Sequence, residues 1–368
     1  MTLARNYLAE CQGESALDLE ICELRNKIAL ILYWQGDLAS AAAELEAVEE
    51  VISSAGNSQA ERAIKSSRAN LRREMGDAAG AISDIRDLIS DYPEDAPRNE
   101  LATLYCTLSL AYLDAGEPRD ALAASQNAVQ LDIEHSGGLH GNGARDWNNC
   151  GLAWLELGMP EDASRAFEES LRIHDEIGDS SSMRRLIVQV NLGRAHMAKG
   201  NFETAREVIE DALARQEKIF GAQHRDVAAT LTNLAVLYGH MGMMADSAKV
   251  ARRALKIDLA VYGEGHPELI ADYTNLAGPL ISLGQYGAAE KWLGKGHEIA
   301  VSYFGPRHFK AAYCRTQLSI CLYRKGDIAK AIPEMQSVIR IFEESLGPTH
   351  PQVKNCRAVL ELMSSRRL

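Results

Sequence analysis

The sequence predicts an all-α solenoid, built from eight helical hairpins that follow one another along the chain and end in a capping helix. Three observations predict this fold: a glycine recurs at a nearly fixed spacing, small residues lie at two fixed offsets from it, and apolar residues lie beside them. Internal repetition at this length is typical of arrays in which each unit packs on its neighbours.

The recurring glycine marks the end of the first helix of each hairpin. Successive glycines are separated by 40, 40, 42, 42, 42, 42 and 42 residues. The series is Gly36, Gly76, Gly116, Gly158, Gly200, Gly242, Gly284 and Gly326. A residue without Cβ adopts the left-handed conformation that ends a helix at little cost. Pro118 and Pro160, each two residues after its glycine, suit the first turn of a second helix.

Small residues occupy the positions seven before and five after each glycine, as at Ala277 and Ala289 around Gly284. Only Ala, Ser or Gly allows two helix backbones to approach closely, so these positions predict where the helices of a hairpin cross. Mostly apolar residues eight before and nine after the glycine predict the core. Arg68 and Arg72 in the second repeat depart from this pattern.

These residues resemble the tetratricopeptide repeat, a two-helix unit of about 34 residues. NLGRAHMAKGNFETA (191–205) and NLAVLYGHMGMMADSA (233–248) carry the resemblance most plainly. The resemblance covers nearly the whole chain. It implies a right-handed superhelix with a concave groove lined by the first helices.

The longer repeats also carry a second glycine and a histidine, and their 42-residue length resembles the repeats of kinesin light chains. The segments are FGAQH (220–224), YGEGH (262–266), FGPRH (304–308) and LGPTH (346–350). We expect the eight extra residues to extend the second helix up to the second glycine, as in EDALARQEKIFG (210–221), and the following His-Pro pairs to begin the next helix.

Histidines recur at this point of the repeat, at His140, His224, His266, His308 and His350. Metal ligation needs nitrogens about 2 Å from one ion, whereas packed helices lie about 8–10 Å apart. We therefore predict that these histidines bond backbone groups at helix ends.

We predict three segments along the chain. Residues 1–16 form a degenerate N-terminal helix or cap, residues 17–347 form eight repeats, and residues 348–368 form a C-terminal capping helix. A terminal helix with a polar outer side covers the last apolar surface of a repeat array. Lys354, Arg357 and Arg366 supply that polarity.

The composition excludes several classes of protein. Of the 368 residues, 46% are hydrophobic and 24% are charged, and no stretch approaches the ~18 uninterrupted apolar residues of a membrane-spanning helix. The N-terminus lacks the apolar segment of a secretory signal, and the seven cysteines form no C-x-x-C pair, so we expect a cytoplasmic protein. A net charge of −12 disfavours nucleic-acid binding.

Motifs for catalysis are missing from the sequence. It contains no P-loop, G-x-G-x-x-G, G-x-S-x-G, H-E-x-x-H or EF-hand loop. We therefore expect neither an enzyme nor a cofactor or metal.

Candidate binding residues share one face of the first helices, at 13, 9, 6 and 2 residues before the turn glycine. The resemblance implies that this face lines the groove. Amides recur nine before the glycine, at Asn149, Asn191, Asn233, Asn275 and Gln317. Arg145 and Tyr313 lie at the first of these positions, Arg194 at the third, and His240 and Arg324 at the last.

An amide offers both a donor and an acceptor, so this series could bind a peptide backbone whatever its side chains. The alternative is that each amide bonds to a neighbouring helix and binds nothing. Residues 1–182 carry 14 basic and 33 acidic side chains, whereas residues 183–368 carry 25 and 18. The basic half favours an acidic guest, and the opposite charges of the two halves favour self-association.

We therefore predict a non-enzymatic adaptor that binds a peptide segment of a partner protein, and we expect that segment to be acidic. The alternative is a regulatory module that senses a peptide or effector and works with a signalling or NTPase domain.

Overall fold

The structure is a computed structural model, and the described residues contain seventeen helices and no strand. The described residues are 17–34, 37–55, 58–74, 77–348 and 350–365. This confirms the prediction of an all-α solenoid. The predicted N-terminal segment 1–16, the turn glycines Gly36 and Gly76, and Arg366 lie outside the described residues.

The chain divides into two compact units, unit 1 (Met1–Lys199) and unit 2 (Gly200–Leu368). Each unit contains helices that pack in sequence order, so that a second helix contacts both its own first helix and the next one. Every helix described is too short or too polar to span a lipid bilayer.

Unit 1 contains four helical hairpins followed by one further first helix. Its helices are α1 (Leu17–Trp34), α2 (Leu38–Ala55), α3 (Ser58–Glu74), α4 (Ala78–Ser90), α5 (Arg98–Asp114), α6 (Pro118–Ser136), α7 (Gly141–Glu156), α8 (Pro160–Glu176) and α9 (Met183–Ala198). Arg72 departs from the repeat pattern because its guanidinium pairs with Asp84 at 2.8 Å, on the second helix of the same hairpin.

Unit 2 begins with a second helix, continues with three hairpins and ends with a single helix. Its helices are α10 (Phe202–Phe220), α11 (Arg225–His240), α12 (Met244–Tyr262), α13 (Leu269–Ser282), α14 (Tyr286–Phe304), α15 (Phe309–Lys325), α16 (Ile328–Leu346) and α17 (Pro351–Ser364). The first helices of consecutive hairpins also contact one another, α11 with α13 and α13 with α15.

The turn glycines take the conformation that the sequence predicts. From Gly116 to Gly326, all six described glycines of the series have φ between 72° and 99°. The second helices α10, α12, α14 and α16 each extend over 19 residues and end at Gly221, Gly263, Gly305 or Gly347, as expected.

One boundary differs from the prediction. Pro351 begins α17, but Pro267 does not begin α13, which starts at Leu269. The amides of Leu269 and Ile270 donate to the carbonyls of His266 and Pro267, at 3.1 and 3.2 Å. This tight turn occupies the two residues before the helix.

Within each unit, the small residues are buried where the two helices of a hairpin pack together. We number positions from the turn glycine, so that −7 is the residue seven before it and +5 the residue five after it. The residues at −7 and +5 are buried in every described hairpin. Where one of them is serine, its hydroxyl donates to the carbonyl at the other, as from Ser109 to Ala121 at 2.8 Å and from Ser319 to Ala331 at 2.7 Å. The +9 position is also buried throughout, whereas Leu192 and Leu318 at −8 are half-buried.

The recurring histidines cap helices, which confirms their predicted role. In each of them Nδ1 accepts a hydrogen bond from a backbone amide two or three residues later, at 3.2–3.3 Å. His266 and His308 also stack on Tyr262 and Phe304, with ring centroids 4.5 and 4.7 Å apart. In these two repeats the aromatic residue before the second glycine therefore holds the capping ring in place.

We expect His308→Ala to lower the free energy of unfolding by about 1 kcal/mol, the usual cost of losing an N-cap. Only the neutral imidazole can accept at Nδ1, and burial, followed by the charge of Lys310, lowers the pKa of His308 from 6.5. The contribution of His308 is therefore complete above pH ~6.5 and is lost as the pH falls through the lowered pKa.

Denaturant unfolding at several pH values checks this prediction. His308→Asn serves as the matched variant because asparagine is a good N-cap without a titrating ring. It should keep the stability and remove this part of the pH dependence. If the free energy of unfolding of His308→Ala differed from that of the wild type by the same amount at every pH, the capping role would be contradicted.

Candidate functional site

A groove of about 720 Å³ lies in unit 2, over the first helices α11, α13 and α15. Its lining follows the repeat. Position −6 supplies Val236, Gly278 and Ile320, and position −2 supplies His240, Ser282 and Arg324. Equivalent residues of three consecutive repeats therefore line one continuous surface.

Three more predicted residues line the same groove. Asn275 and Gln317 come from position −9 of α13 and α15, and Tyr313 comes from position −13 of α15. The Tyr313 side chain is 39% exposed. Burial raises the pKa of its phenol, so the group remains a neutral hydroxyl at physiological pH.

The amides in unit 1 are placed differently. Asn149 is 3% exposed, and its Nδ2 donates to the sulfur of Cys106 at 3.0 Å. Asn191 is 7% exposed, and its Nδ2 donates to Oδ1 of Asn148 at 2.9 Å. Both amides therefore bond to the preceding first helix, which is the alternative that the sequence left open.

The residue ten before the turn glycine explains the difference between the units. In unit 1 this position holds Cys106 and Asn148, whose side chains accept the amide of the next repeat. In unit 2 it holds threonines. Thr274, one repeat before Gln317, donates its hydroxyl to the Ala271 carbonyl of its own helix, at 2.8 Å. Asn233 differs again: its amide donates to the Ala229 carbonyl at 3.0 Å, and it is not among the lining residues of the groove.

The two predicted arginines of unit 1 donate hydrogen bonds to neighbouring side chains. The Arg145 Nε donates to Oδ1 of Asp146 at 2.8 Å. The Arg194 guanidinium donates to Oδ1 of Asn191 at 3.2 Å. Neither arginine is among the lining residues of the groove.

The charge of the groove has one sign. Arg324 and His240 are the ionisable basic groups of the lining, and none of the described lining residues is acidic. Both side chains are exposed, and the His240 ring stacks on Phe202 with centroids 6.1 Å apart. The groove is therefore suited to an anionic group beside an apolar surface.

Sequence reasoning missed the residues that the second helices contribute. Met244 and Tyr286, each two residues after a turn glycine, line the groove from the first turns of α12 and α14. The sequence does contain a signal for this contribution. The position two after the turn glycine is large and apolar in four successive repeats, at Phe202, Met244, Tyr286 and Ile328. Within the described part of the chain, no three His, Cys, Asp or Glu side chains are grouped as a metal site requires.

Comparison with known proteins agrees with this architecture. The family model described as tetratricopeptide repeat matches residues 184–260, 226–300 and 269–344. No curated protein matches the chain in sequence.

Three solved structures illustrate the likeness. A putative kinesin light chain from Podosopora anserina is 22% identical over 54% of this chain and 94% of that chain, with a TM-score of 0.47. A Rap protein complexed with Competence and Sporulation Factor is 12% identical over 94% of this chain and 99% of that chain, with a TM-score of 0.60.

The third is a STAND signal transduction ATPase with a tetratricopeptide repeat sensor from Pyrococcus horikoshii. It is 14% identical over 99% of this chain and 54% of that chain, with a TM-score of 0.55. At these identities the likeness is one of fold.

Proposed function

We propose that the chain is a non-enzymatic adaptor, because the tetratricopeptide repeat model that matches residues 184–344 describes a fold typical of protein-interaction scaffolds. It binds an extended segment of a partner protein in the groove of unit 2. The observation that carries this proposal is the lining of that groove, where three consecutive repeats present apolar and basic side chains and two of them add an amide.

The dimensions suit a short extended segment. The volume of about 720 Å³ is comparable to ligand pockets of roughly 300–1,000 Å³. An extended chain advances about 3.3 Å per residue, and the first helices of adjacent repeats lie roughly 10–20 Å apart, since a second helix separates them along the chain. Asn275 and Gln317, at equivalent positions of adjacent repeats, would therefore contact the guest about three to six residues apart.

The amides fix the backbone of the guest, and the apolar lining supplies most of the affinity. Each amide hydrogen bond contributes about 0.5–1.5 kcal/mol net, which does not offset the loss of freedom on binding. Val236, Ile320, Met244 and Tyr286 offer apolar surface within the same groove. The guest therefore needs at least one large apolar side chain in addition to its backbone.

The charge of the lining selects an acidic guest. Arg324 can form a two-pronged pair with a carboxylate, and the described lining holds no acid to repel one. The excess of basic residues over 183–368 would also speed the approach of an acidic segment.

Self-association is part of the same proposal. The acidic residues of 1–182 of one copy can attract the basic residues of 183–368 of another, so that copies of the chain associate head to tail.

We propose a cytoplasmic location for this activity. Cys106, Cys150, Cys314, Cys321 and Cys356 are buried thiols outside any disulfide. Thiols persist in the reducing environment of the cytoplasm.

Selection of peptides from a random phage-displayed library on the full chain tests the groove. We expect selected peptides to combine acidic and large apolar residues. Their affinity for Asn275→Ala/Gln317→Ala, measured by fluorescence anisotropy, should be about 10-fold weaker, because ~1.4 kcal/mol corresponds to a factor of 10. Arg324→Glu should reduce the affinity most for the selected peptides that contain acidic residues.

Gln285→Ala is the matched control, because it removes an exposed amide from the turn between α13 and α14. It should bind the selected peptides as the wild type does. Equal affinities for the wild type and for a folded Asn275→Ala/Gln317→Ala variant would rule out binding in this groove.

A second candidate is a regulatory module that senses a peptide or effector. The likeness to the Rap protein, complexed with Competence and Sporulation Factor, and to the STAND ATPase with its repeat sensor supports it. A signalling or NTPase domain acting with this chain would distinguish this candidate from a simple adaptor.

A further inference from the structure

Gly278 and Pro279 are adjacent residues inside α13, although glycine and proline are the two residues least favourable in the interior of a helix. Position −6 carries a side chain in the other seven repeats, at Leu30, Asn70, Leu110, Leu152, Arg194, Val236 and Ile320. Position −5 is not proline in any of those repeats, where it is Ile31, Leu71, Ala111, Ala153, Ala195, Leu237 and Cys321. The two exceptions therefore occur side by side in one repeat.

Pro279 leaves one backbone carbonyl of α13 without its usual partner. In an α-helix each carbonyl accepts a hydrogen bond from the amide four residues later, and proline has no amide hydrogen. The carbonyl of Asn275 therefore lacks the donor that would close this turn. The neighbouring hydroxyls of Thr274 and Ser282 donate to other carbonyls of α13, at 2.8 and 3.3 Å.

This carbonyl lies on the groove side of α13. A helical carbonyl points along the helix axis towards the residue four later, so the carbonyl of Asn275 points towards Pro279 and passes beside Gly278. All three residues line the groove. Gly278 leaves the carbonyl uncovered, because a Cβ at this residue would meet no atom within 4 Å outside the adjoining backbone. The two unusual residues therefore open a backbone acceptor towards the guest.

We propose that the Asn275 carbonyl is a further binding group of the groove, which accepts a hydrogen bond from a main-chain N–H of the guest. The side-chain amide of the same residue can donate to a guest carbonyl. One residue of α13 thus bonds both polar groups of the guest backbone, as paired strands do in a sheet. This inference rests on the proposed function and adds a requirement to it: the guest residue opposite α13 is not proline.

The expected contribution to affinity is that of one ordinary hydrogen bond. Before the guest binds, the open carbonyl is hydrogen-bonded to water, and the guest replaces that water. The net gain corresponds to roughly 3- to 10-fold in affinity. A guest that covered the carbonyl without donating to it would lose at least this much, because an unpaired buried acceptor is costly.

Amide-to-ester analogues of the peptides selected on the full chain test each guest N–H in turn. An ester removes the N–H without adding bulk. We expect one ester in the set to bind the wild type roughly 3- to 10-fold more weakly than the parent peptide, because it cannot donate to Asn275. Asn275→Ala should keep this ester effect, since the substitution removes the side chain and leaves the carbonyl.

Pro279→Ala identifies the carbonyl as the acceptor. It restores the amide four residues after Asn275, and that amide occupies the carbonyl within the helix. The parent peptide should bind this variant roughly 3- to 10-fold more weakly, and the sensitive ester should cause no further loss. Gly278→Ala is a second variant with the same expectation, because its methyl group covers the carbonyl without a clash in the fold.

Pro333→Ala is the matched control. Pro333 also lies inside a helix, α16, but it is exposed and is not among the lining residues of the groove. Both proline variants should melt several degrees above the wild type, because alanine is much the better helix former. Only Pro279→Ala should lose affinity. Weaker binding by a more stable variant excludes damage to the fold as its cause.

The outcomes separate this inference from the proposed function. Equal affinities of the parent peptide for the wild type and for Pro279→Ala, or esters that all bind alike, would overturn the carbonyl as a binding group. The proposed function would still stand if the same peptides bound Asn275→Ala/Gln317→Ala more weakly. Peptides that bind that double variant as they bind the wild type would overturn the proposed function, and this inference with it.

Discussion

Gly151→Ala is expected to lower the free energy of unfolding by about 1–3 kcal/mol, the range for an overpacked core. Gly151 occupies the position where α7 crosses α8. A Cβ there would lie 2.4 Å from Cε1 of Phe167, whose side chain is fully buried. The phenyl ring cannot move aside without displacing its neighbours, so the added methyl group strains the hairpin.

The direction of this effect is opposite to that of helix propensity. In an open helix, glycine to alanine raises stability by about 0.5–1 kcal/mol. Gly294 on α14 provides the matched control, because a Cβ there meets no atom within 4 Å. Gly294→Ala should therefore stabilise the chain, and denaturant unfolding of both variants gives the comparison.

A second substitution identifies the cause. Phe167→Leu shortens the side chain that the new methyl group would strike, so it should relieve part of the Gly151→Ala penalty. In a double-mutant cycle the two changes should couple by about 1 kcal/mol or more. Independent effects would show that the strain lies elsewhere in the hairpin.

The periodic features of the fold were predictable from sequence because they depend on backbone geometry. A helix end with positive φ favours glycine, and a close helix crossing requires a small residue. Gly200 therefore predicts a helix end, and Ala289 predicts a close crossing. The capping histidines were predictable for the same reason. Their partner is a backbone amide two or three residues away, and it exists whatever the rest of the sequence.

The candidate site was predictable only in part, because side chains choose among partners on other helices. Asn149 and Asn275 share a position in the repeat and differ in environment. The residue ten before the preceding turn glycine differs between them: Cys106 accepts the amide of Asn149, whereas Asn275 follows Thr232. No property of the asparagine itself carries this information.

The two substitutions of Tyr273 should have opposite effects, and the alanine change should be among the most damaging in unit 2. Tyr273 is fully buried on α13 and stacks on Trp292 of α14, with ring centroids 5.5 Å apart and planes 14° apart. Tyr273→Ala removes this ring from the core and should cost about 3–5 kcal/mol.

Tyr273→Phe should raise the free energy of unfolding by about 1 kcal/mol. The Tyr273 hydroxyl is buried and has no hydrogen-bond partner among the described residues. Leaving a polar group buried in this way costs about 1–3 kcal/mol, and the phenyl ring removes that cost while keeping the stack on Trp292. Denaturant unfolding followed by circular dichroism measures both variants. A Phe variant less stable than the wild type would show that the hydroxyl is bonded in solution.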